Sequence, residues 1–283
     1  MKLPFIFAKR FVAGETFAEA VPKINELNRK NIRVTLDMLG ENVTDRKMAE
    51  KTVEEYSHLL YKIESEGLKS NISIKLTMLG LAIDEEFCKN NLFSLLEEAS
   101  KLNQFVRIDM EESDYTLNTL NLFKQAQDKY ANHVGIVIQA YLHRTKNDIL
   151  ELAKMGADVR LCKGAYKEPE QIALQQMPAI RKAFKEYAGI LLEQTPFPRF
   201  ATHDDELMQW VLKYTSAKNI EPSRFEFQML YGLREETLSE LADKGYHTRI
   251  YVPFGTRWLP YFKRRLMERK ENIWFVLSTI FRK

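Results

Sequence analysis

Six polar side chains lie in the later part of short apolar runs: Lys75, Asp109, Gln139, Arg160, Lys163 and His203. A charge buried in a strand is costly unless it is paired or used. One such residue reads as a structural group satisfied by a neighbour; six at equivalent places read as side chains converging on one site. A second cluster follows the last of these runs. Tyr261, Arg264, Arg265 and Glu268 are spaced i, i+3, i+4, i+7 and share one face of a helix. That face could be a solvated stripe of Arg–Glu pairs. It could also grip a small carboxylate, because two adjacent guanidiniums hold one in bidentate fashion. The tyrosine would then shape the apolar side of the pocket.

These residues need strands to carry them, and eight apolar runs recur along the chain: 32–39, 72–77, 105–110, 134–141, 159–166, 199–203, 225–230 and 248–253. They are β-branched or aromatic, and most have the length of ordinary strands. Helix-like segments alternate with them: 44–66, stopped by Gly67, then 84–102, 115–130, 146–155, 168–193, 205–217, 235–244 and 256–270. Strict alternation predicts a parallel sheet with helices outside. Eight repeats in 283 residues predict a closed (β/α)₈ barrel, with 16–30 as an extra N-terminal helix. On such a barrel the later part of each strand faces the catalytic end. An open doubly wound sheet would need a Gly-rich first turn, and the chain has no G-x-G-x-x-G. The reading is one domain over residues 1–283, with 1–30 as a helical arm.

Composition narrows the function. Hydrophobic residues make up 45% of the chain, enough for a core, and the net charge of +3 has no basic block, which argues against nucleic-acid binding. The only cysteines, Cys88 and Cys162, are far apart, as expected for a reducing compartment without a disulfide framework or zinc site. No stretch approaches the roughly 20 apolar residues of a membrane-spanning helix. The expectation is a cytoplasmic protein, at most peripherally attached to the inner membrane.

The run Val159-Arg160-Leu161-Cys162-Lys163-Gly164-Ala165-Tyr166 resembles the fifth barrel strand of the flavin-dependent proline dehydrogenases. The similarity continues in the family's order through Ala201-Thr202-His203, the stretch 225–232, the stretch 249–255 and the cluster from Tyr261 to Glu268. The family oxidises L-proline to Δ1-pyrroline-5-carboxylate with FAD on a distorted (β/α)₈ barrel. The resemblance implies that Lys75, Arg264 and Arg265 bind the proline carboxylate. It implies Asp109 and Tyr166 as an active-site pair, Tyr251 and Tyr261 against the pyrrolidine ring, and Leu161 lining the pocket. Met110, Gln139, Arg160, Lys163, Gly164, Ala165, Thr202 and His203 would line the flavin. Tyr251 would leave little room for a ring hydroxyl, so the implied substrate is proline before 4-hydroxyproline. The implied electron acceptor is a membrane quinone. No aldehyde dehydrogenase segment follows the barrel, so a separate pyrroline-5-carboxylate dehydrogenase is expected to take the product onward.

Three other readings compete. Lys163 could form a Schiff base, provided a neighbouring cation such as Arg160 lowers its pKa. A metal-dependent hydrolase would need clustered histidines and carboxylates, and the five histidines show no paired spacing. A catalytically silent barrel could act as a binding module, since folds host many functions. Finally, the apolar run 273–281, followed by Arg282-Lys283, reads either as a helix packed on the barrel or as a peripheral membrane contact.

Overall fold

Alternation along each strand decides which side chains meet inside. The protein is seen here as a computed structural model that describes residues 5–40 and 42–268. In β1 (Arg33–Met38), Val34 and Leu36 are fully buried in the core under the helices. Thr35 instead reaches Asn71 on the neighbouring strand, and Asp37 reaches Lys75 just past that strand's end. Strands β2 (Ser70–Ile74), β3 (Val106–Ile108), β4 (Val134–Gln139), β5 (Val159–Cys162), β6 (Arg199–Ala201), β7 (Glu226–Leu230) and β8 (His247–Phe254) follow. All pair in parallel in sequence order, and β8 closes on β1, giving the expected (β/α)₈ barrel.

The helices are α1 (Phe17–Arg29), α2 (Arg46–Ser65), α3 (Glu85–Lys101), α4 (Ser113–Tyr130), α5 (Thr145–Lys154), α6 (Met177–Gln194), α7 (Asp205–Ala217), α8 (Glu235–Asp243) and α9 (Trp258–Glu268). Their starts follow from sequence. Thr16, Asp45, Asp84 and Asp204 each accept a backbone N–H of the first turn, the capping role these short polar side chains favour. Gly67 and Gly156 end α2 and α5 at φ of +61° and +64°, where a side chain would be strained. The N-terminal residues are docked on the barrel: Ala8, Phe11 and Val12 share a buried cluster with Leu39, Trp258, Tyr261 and Phe262.

One element differs from expectation. The helix read as starting at Glu168 begins at Met177. Residues 163–176 form a loop because the β4–α5 segment competes for their backbone. Ala173 bridges Leu142, His143 N–H donates to the Ile172 carbonyl (3.0 Å), and Leu174 N–H donates to that of Tyr141 (2.8 Å). Glu168 accepts from Ser113 N–H (2.7 Å) and Oγ (2.6 Å) at the start of α4, where the helix dipole favours an anion. Pro178 then sits at the start of α6, where its missing N–H costs nothing.

The interior carries two layers of charge. Toward the strand starts, Arg107 pairs with Asp158, and Arg199 bridges Asp158 and Glu226. Arg249 Nε donates to Glu226 Oε1 at 2.8 Å and Arg249 also reaches Asn71. Toward the strand ends lies the second layer.

Candidate active site

Lys75 follows β2, Asp109 follows β3, Arg160 is in β5 and Tyr251 in β8. Period two sends each inward, and the closed barrel brings them together. Arg160 donates to Asp109 Oδ1, as does Ser73 Oγ at 2.5 Å. Tyr251 Oη donates to Asp109 Oδ2 at 2.8 Å, and Lys75 Nζ lies 3.6 Å from that oxygen. Lys75 Nζ also donates to Asp37 at 2.9 Å. The Arg160 guanidinium sits 5.3 Å over the Tyr251 ring, a cation–π contact.

The electrostatics follow from this packing. Burial opposes the Asp109 carboxylate, but Arg160 and Lys75, with the Ser73 and Tyr251 hydrogen bonds, hold its pKa below the usual range. Burial also opposes the Lys75 charge, yet Asp37 and Asp109 hold its pKa well above the ordinary lysine value. Burial and the neighbouring anions Asp109 and Asp37 push the Tyr251 hydroxyl far up, so it stays a donor.

This layer opens into a cavity of about 410 Å³ at the strand ends, within the size range of ligand pockets. Of the residues expected at the site, fourteen line it: Lys75, Asp109, Met110, Gln139, Arg160, Lys163, Gly164, Ala165, Tyr166, Thr202, His203, Tyr251, Tyr261 and Arg265. Leu161 does not. It lies between Arg160 and Cys162, both of which line the cavity, so alternation turns it into the fully buried core under the helices. The side chains of Arg264 and Glu268, and the whole run 273–283, lie outside the described residues.

Several expected residues are held by specific bonds. Gln139 Oε1 accepts from Ala165 N–H (3.1 Å) while its Nε2 donates to the Glu111 carbonyl (3.0 Å). His203 Nε2 accepts from Leu230 N–H at 3.0 Å, which fixes the imidazole tautomer. Arg265 is buried with its guanidinium 5.3 Å over the Tyr261 ring. Gly164, at φ +125°, packs against Tyr141, whose ring would lie 2.4 Å from an added Cβ. The missing side chain therefore accommodates Tyr141 rather than a ring in the cavity. The tyrosine donating to Asp109 is Tyr251, and Tyr166 joins it on the cavity wall.

Lys163 Nζ lies 3.1 Å from Asp204, which also accepts from Arg181. An anion at this position is the opposite of the cationic neighbour a Schiff-base lysine needs. Among the described residues no cluster of histidine, cysteine and carboxylate groups could hold a metal, and no helix is long and apolar enough to cross a membrane.

A flavin matches the residues present. The wall carries Arg160 and Lys163 as cations and Met110, Met177, Met229 and Leu230 as apolar surface. That combination suits an aromatic ring system that gains negative charge on reduction. The structure adds residues the sequence reading missed. Asp37 and Ser73 were legible only as polar residues at inward positions, Asp37 two residues before a run's end. Cys162 stood within the quoted run without a role of its own, and Glu111 carried no motif signal.

Comparison with known proteins gives a consistent result. The family profile described as "Proline dehydrogenase" matches residues 20–277. Proline dehydrogenase 1 of Bacillus subtilis (strain 168) is 38% identical over 276 residues, covering 98% of this chain and 91% of that protein. Proline dehydrogenase of Deinococcus radiodurans is 32% identical over 275 residues, covering 96% and 89%. Among solved structures, proline utilization A from Bdellovibrio bacteriovorus, inactivated by N-propargylglycine, superposes with a TM-score of 0.88 at 27% identity. That match covers 93% of this chain and 33% of the other, so this chain spans about a third of that protein's length.

Proposed function

This chain belongs to the proline dehydrogenase family, and from that premise we propose that it oxidises L-proline to Δ1-pyrroline-5-carboxylate in the described cavity with FAD as its resident cofactor. The single observation that carries the site assignment is the Asp109–Arg160–Lys75–Tyr251 cluster, which opens into a cavity that Arg265 also lines. Several cations lining one cavity can clamp a small carboxylate, and orientation of a bound ring is a large part of what such a site supplies.

Lys75 and Arg265, with Arg264 beside it in α9, take the proline carboxylate. Tyr251 and Tyr261 bound the ring. Asp109 acts by orientation: its oxygens are already engaged by Ser73, Arg160 and Tyr251, and it fixes the last two. Arg160 and Lys163, with Gln139 and Ala165, Met110, Thr202 and His203, would hold the flavin. The flavin would supply the hydride-accepting chemistry, and these residues would set the ring carbon next to nitrogen against it. A quinone is the proposed electron acceptor, reached from a cytoplasmic position by peripheral membrane contact. The Tyr251 hydroxyl, fixed on Asp109, supports proline as substrate ahead of 4-hydroxyproline.

The test is a visible spectrum of the purified protein before and after L-proline is added without oxygen. Flavin bands near ~450 nm that bleach are expected. Bands that persist would refute proline as substrate. No bands, even after FAD is supplied, would refute the flavoenzyme and favour a silent barrel.

A further inference from the structure

The proposed reaction gives no task to the buried carboxylate of Glu111. Glu111 follows β3, two residues beyond Asp109, and is 2% exposed. Its oxygens face one residue from two directions. Thr77 N–H donates to Oε2 at 3.1 Å, and Thr77 Oγ1 lies 2.5 Å from Oε1. Thr77 sits two residues after Lys75 and is itself fully buried. It also anchors the loop after β1: Asn42 N–H donates to Thr77 Oγ1 at 3.2 Å and Val43 N–H to the Thr77 carbonyl at 3.2 Å. On the other side, the Glu111 carbonyl accepts from Gln139, which in turn accepts from Ala165. One residue thus ties together the rim from the β1 loop to the β5 loop.

Hydrogen counting fixes the state in which this works. The Thr77 hydroxyl has one hydrogen and already receives the Asn42 N–H, so its hydrogen goes to Glu111 Oε1. Both Glu111 oxygens are then acceptors. A proton on Oε2 would oppose the Thr77 N–H. A proton on Oε1 would reverse the pair and leave the Thr77 hydroxyl hydrogen seeking another acceptor in a buried site.

We propose that Glu111 is a positioning residue whose ionised carboxylate holds the Lys75–Thr77 segment in the carboxylate-binding arrangement, so that substrate affinity rises as Glu111 loses its proton. This rests on the proline dehydrogenase reading. Burial opposes that ionised form and lifts the group to about 7, with Glu112 adding to the push and Lys75 and the Thr77 bonds resisting it. The other titratable groups whose field couples to it are Tyr56 on α2 and Cys88 on α3. The rim is therefore set close to its transition at neutral pH.

The experiment measures binding of pyrrole-2-carboxylate to the FAD-loaded enzyme by calorimetry from roughly pH 6 to 9, a window in which carboxylates of ordinary pKa do not titrate. This probe has the ring and carboxylate of the substrate but no basic amine, so substrate ionisation drops out. Wild-type affinity should rise through neutral pH. In Glu111→Gln the rise should vanish and affinity should stay low, with KM for L-proline up about ten-fold and kcat within about two-fold. In Glu112→Gln the rise should persist but move to lower pH, since one neighbouring negative charge is gone. A rise that survives in Glu111→Gln, or affinity that is flat with pH in the wild type, overturns the proposal. A wild-type enzyme that neither binds the probe nor bleaches with L-proline overturns the functional reading itself.

Discussion

The two charged layers inside the barrel use the same residue types to opposite ends. The layer at the strand starts sets three arginines, Arg107, Arg199 and Arg249, against Asp158 and Glu226. It is closed at its centre: Glu226 is 0% exposed, Asp158 is partly exposed at the outer edge, and a Cβ at Gly135 would come within 2.4 Å of the Arg107 guanidinium that fills its place. Burial opposes both carboxylates, but the arginines hold them below the usual range. The layer at the strand ends has cations and anions in similar number, yet it faces a cavity. Burial of charge alone therefore does not mark a functional site. What marks it is a charged group whose remaining face looks into space a ligand can fill.

The comparison breaks most readily at Glu226. Replacing it with Gln leaves Arg249 and Arg199 buried with less compensation, and the expected loss of stability is about 3–5 kcal/mol. Because the Glu226 carboxyl is held well below its usual range, its stabilisation is full above the ordinary carboxylate value and is lost as pH falls through the depressed one. The gap between wild type and Glu226→Gln in urea unfolding should therefore be widest at neutral pH and close on acidification. An unchanged unfolding midpoint at pH 7 would remove the structural assignment of this layer.

Glu111 carries the opposite sign. Its carboxyl is raised from 4.5 to about 7, so its contribution to stability is complete below the ordinary value and is lost as pH rises through the raised one. Relative to wild type, Glu111→Gln should gain stability as pH rises through about 7, by at most on the order of 3 kcal/mol, on top of a pH-independent cost of setting its amide against the Thr77 N–H. A stability difference that narrows instead on acidification, as at Glu226, would place Glu111 with the structural layer.

At the open layer the effect moves from stability to substrate. Arg265→Met should raise the KM for L-proline roughly ten- to over a hundred-fold, the range of a charged hydrogen bond, with FAD retained. Loss of flavin with proline affinity intact would reverse the assigned roles of the two cavity walls.

The sequence made the fold legible because alternation of short apolar runs with capped helices is a strong and redundant signal. It made the open layer legible through Lys75, Asp109 and Arg160, which stand late in otherwise apolar strands. It could not separate the two layers. Arg107 and Arg199 sit in the same kind of run, and only register shows that they meet Asp158 at the closed end. Leu161 was misplaced because matching a motif does not track which way each side chain turns. The start of α6 was misplaced because Glu168 reads as a helix former, while its carboxylate is taken by Ser113 across 55 residues of chain. Glu111 was invisible for a related reason: its partner Thr77 lies on another strand's loop.

The smallest effect is also the most discriminating. Tyr251→Phe removes one hydroxyl, the donor to Asp109 Oδ2, and keeps the ring beneath Arg160. A hydrogen bond to a charged carboxylate contributes about 1.5–3 kcal/mol, but water from the cavity can replace this donor, so kcat/KM should fall only about two- to ten-fold. Stability should hardly change, because Asp109 keeps Arg160 and Ser73 and the freed oxygen faces a cavity that water can reach. Were Tyr251 part of a sealed network like that of Glu226, the same deletion would leave a buried acceptor unmatched and lower the unfolding midpoint instead. Kinetics that move while the midpoint stays are thus the signature of the open layer, and the reverse would assign Tyr251 to the scaffold.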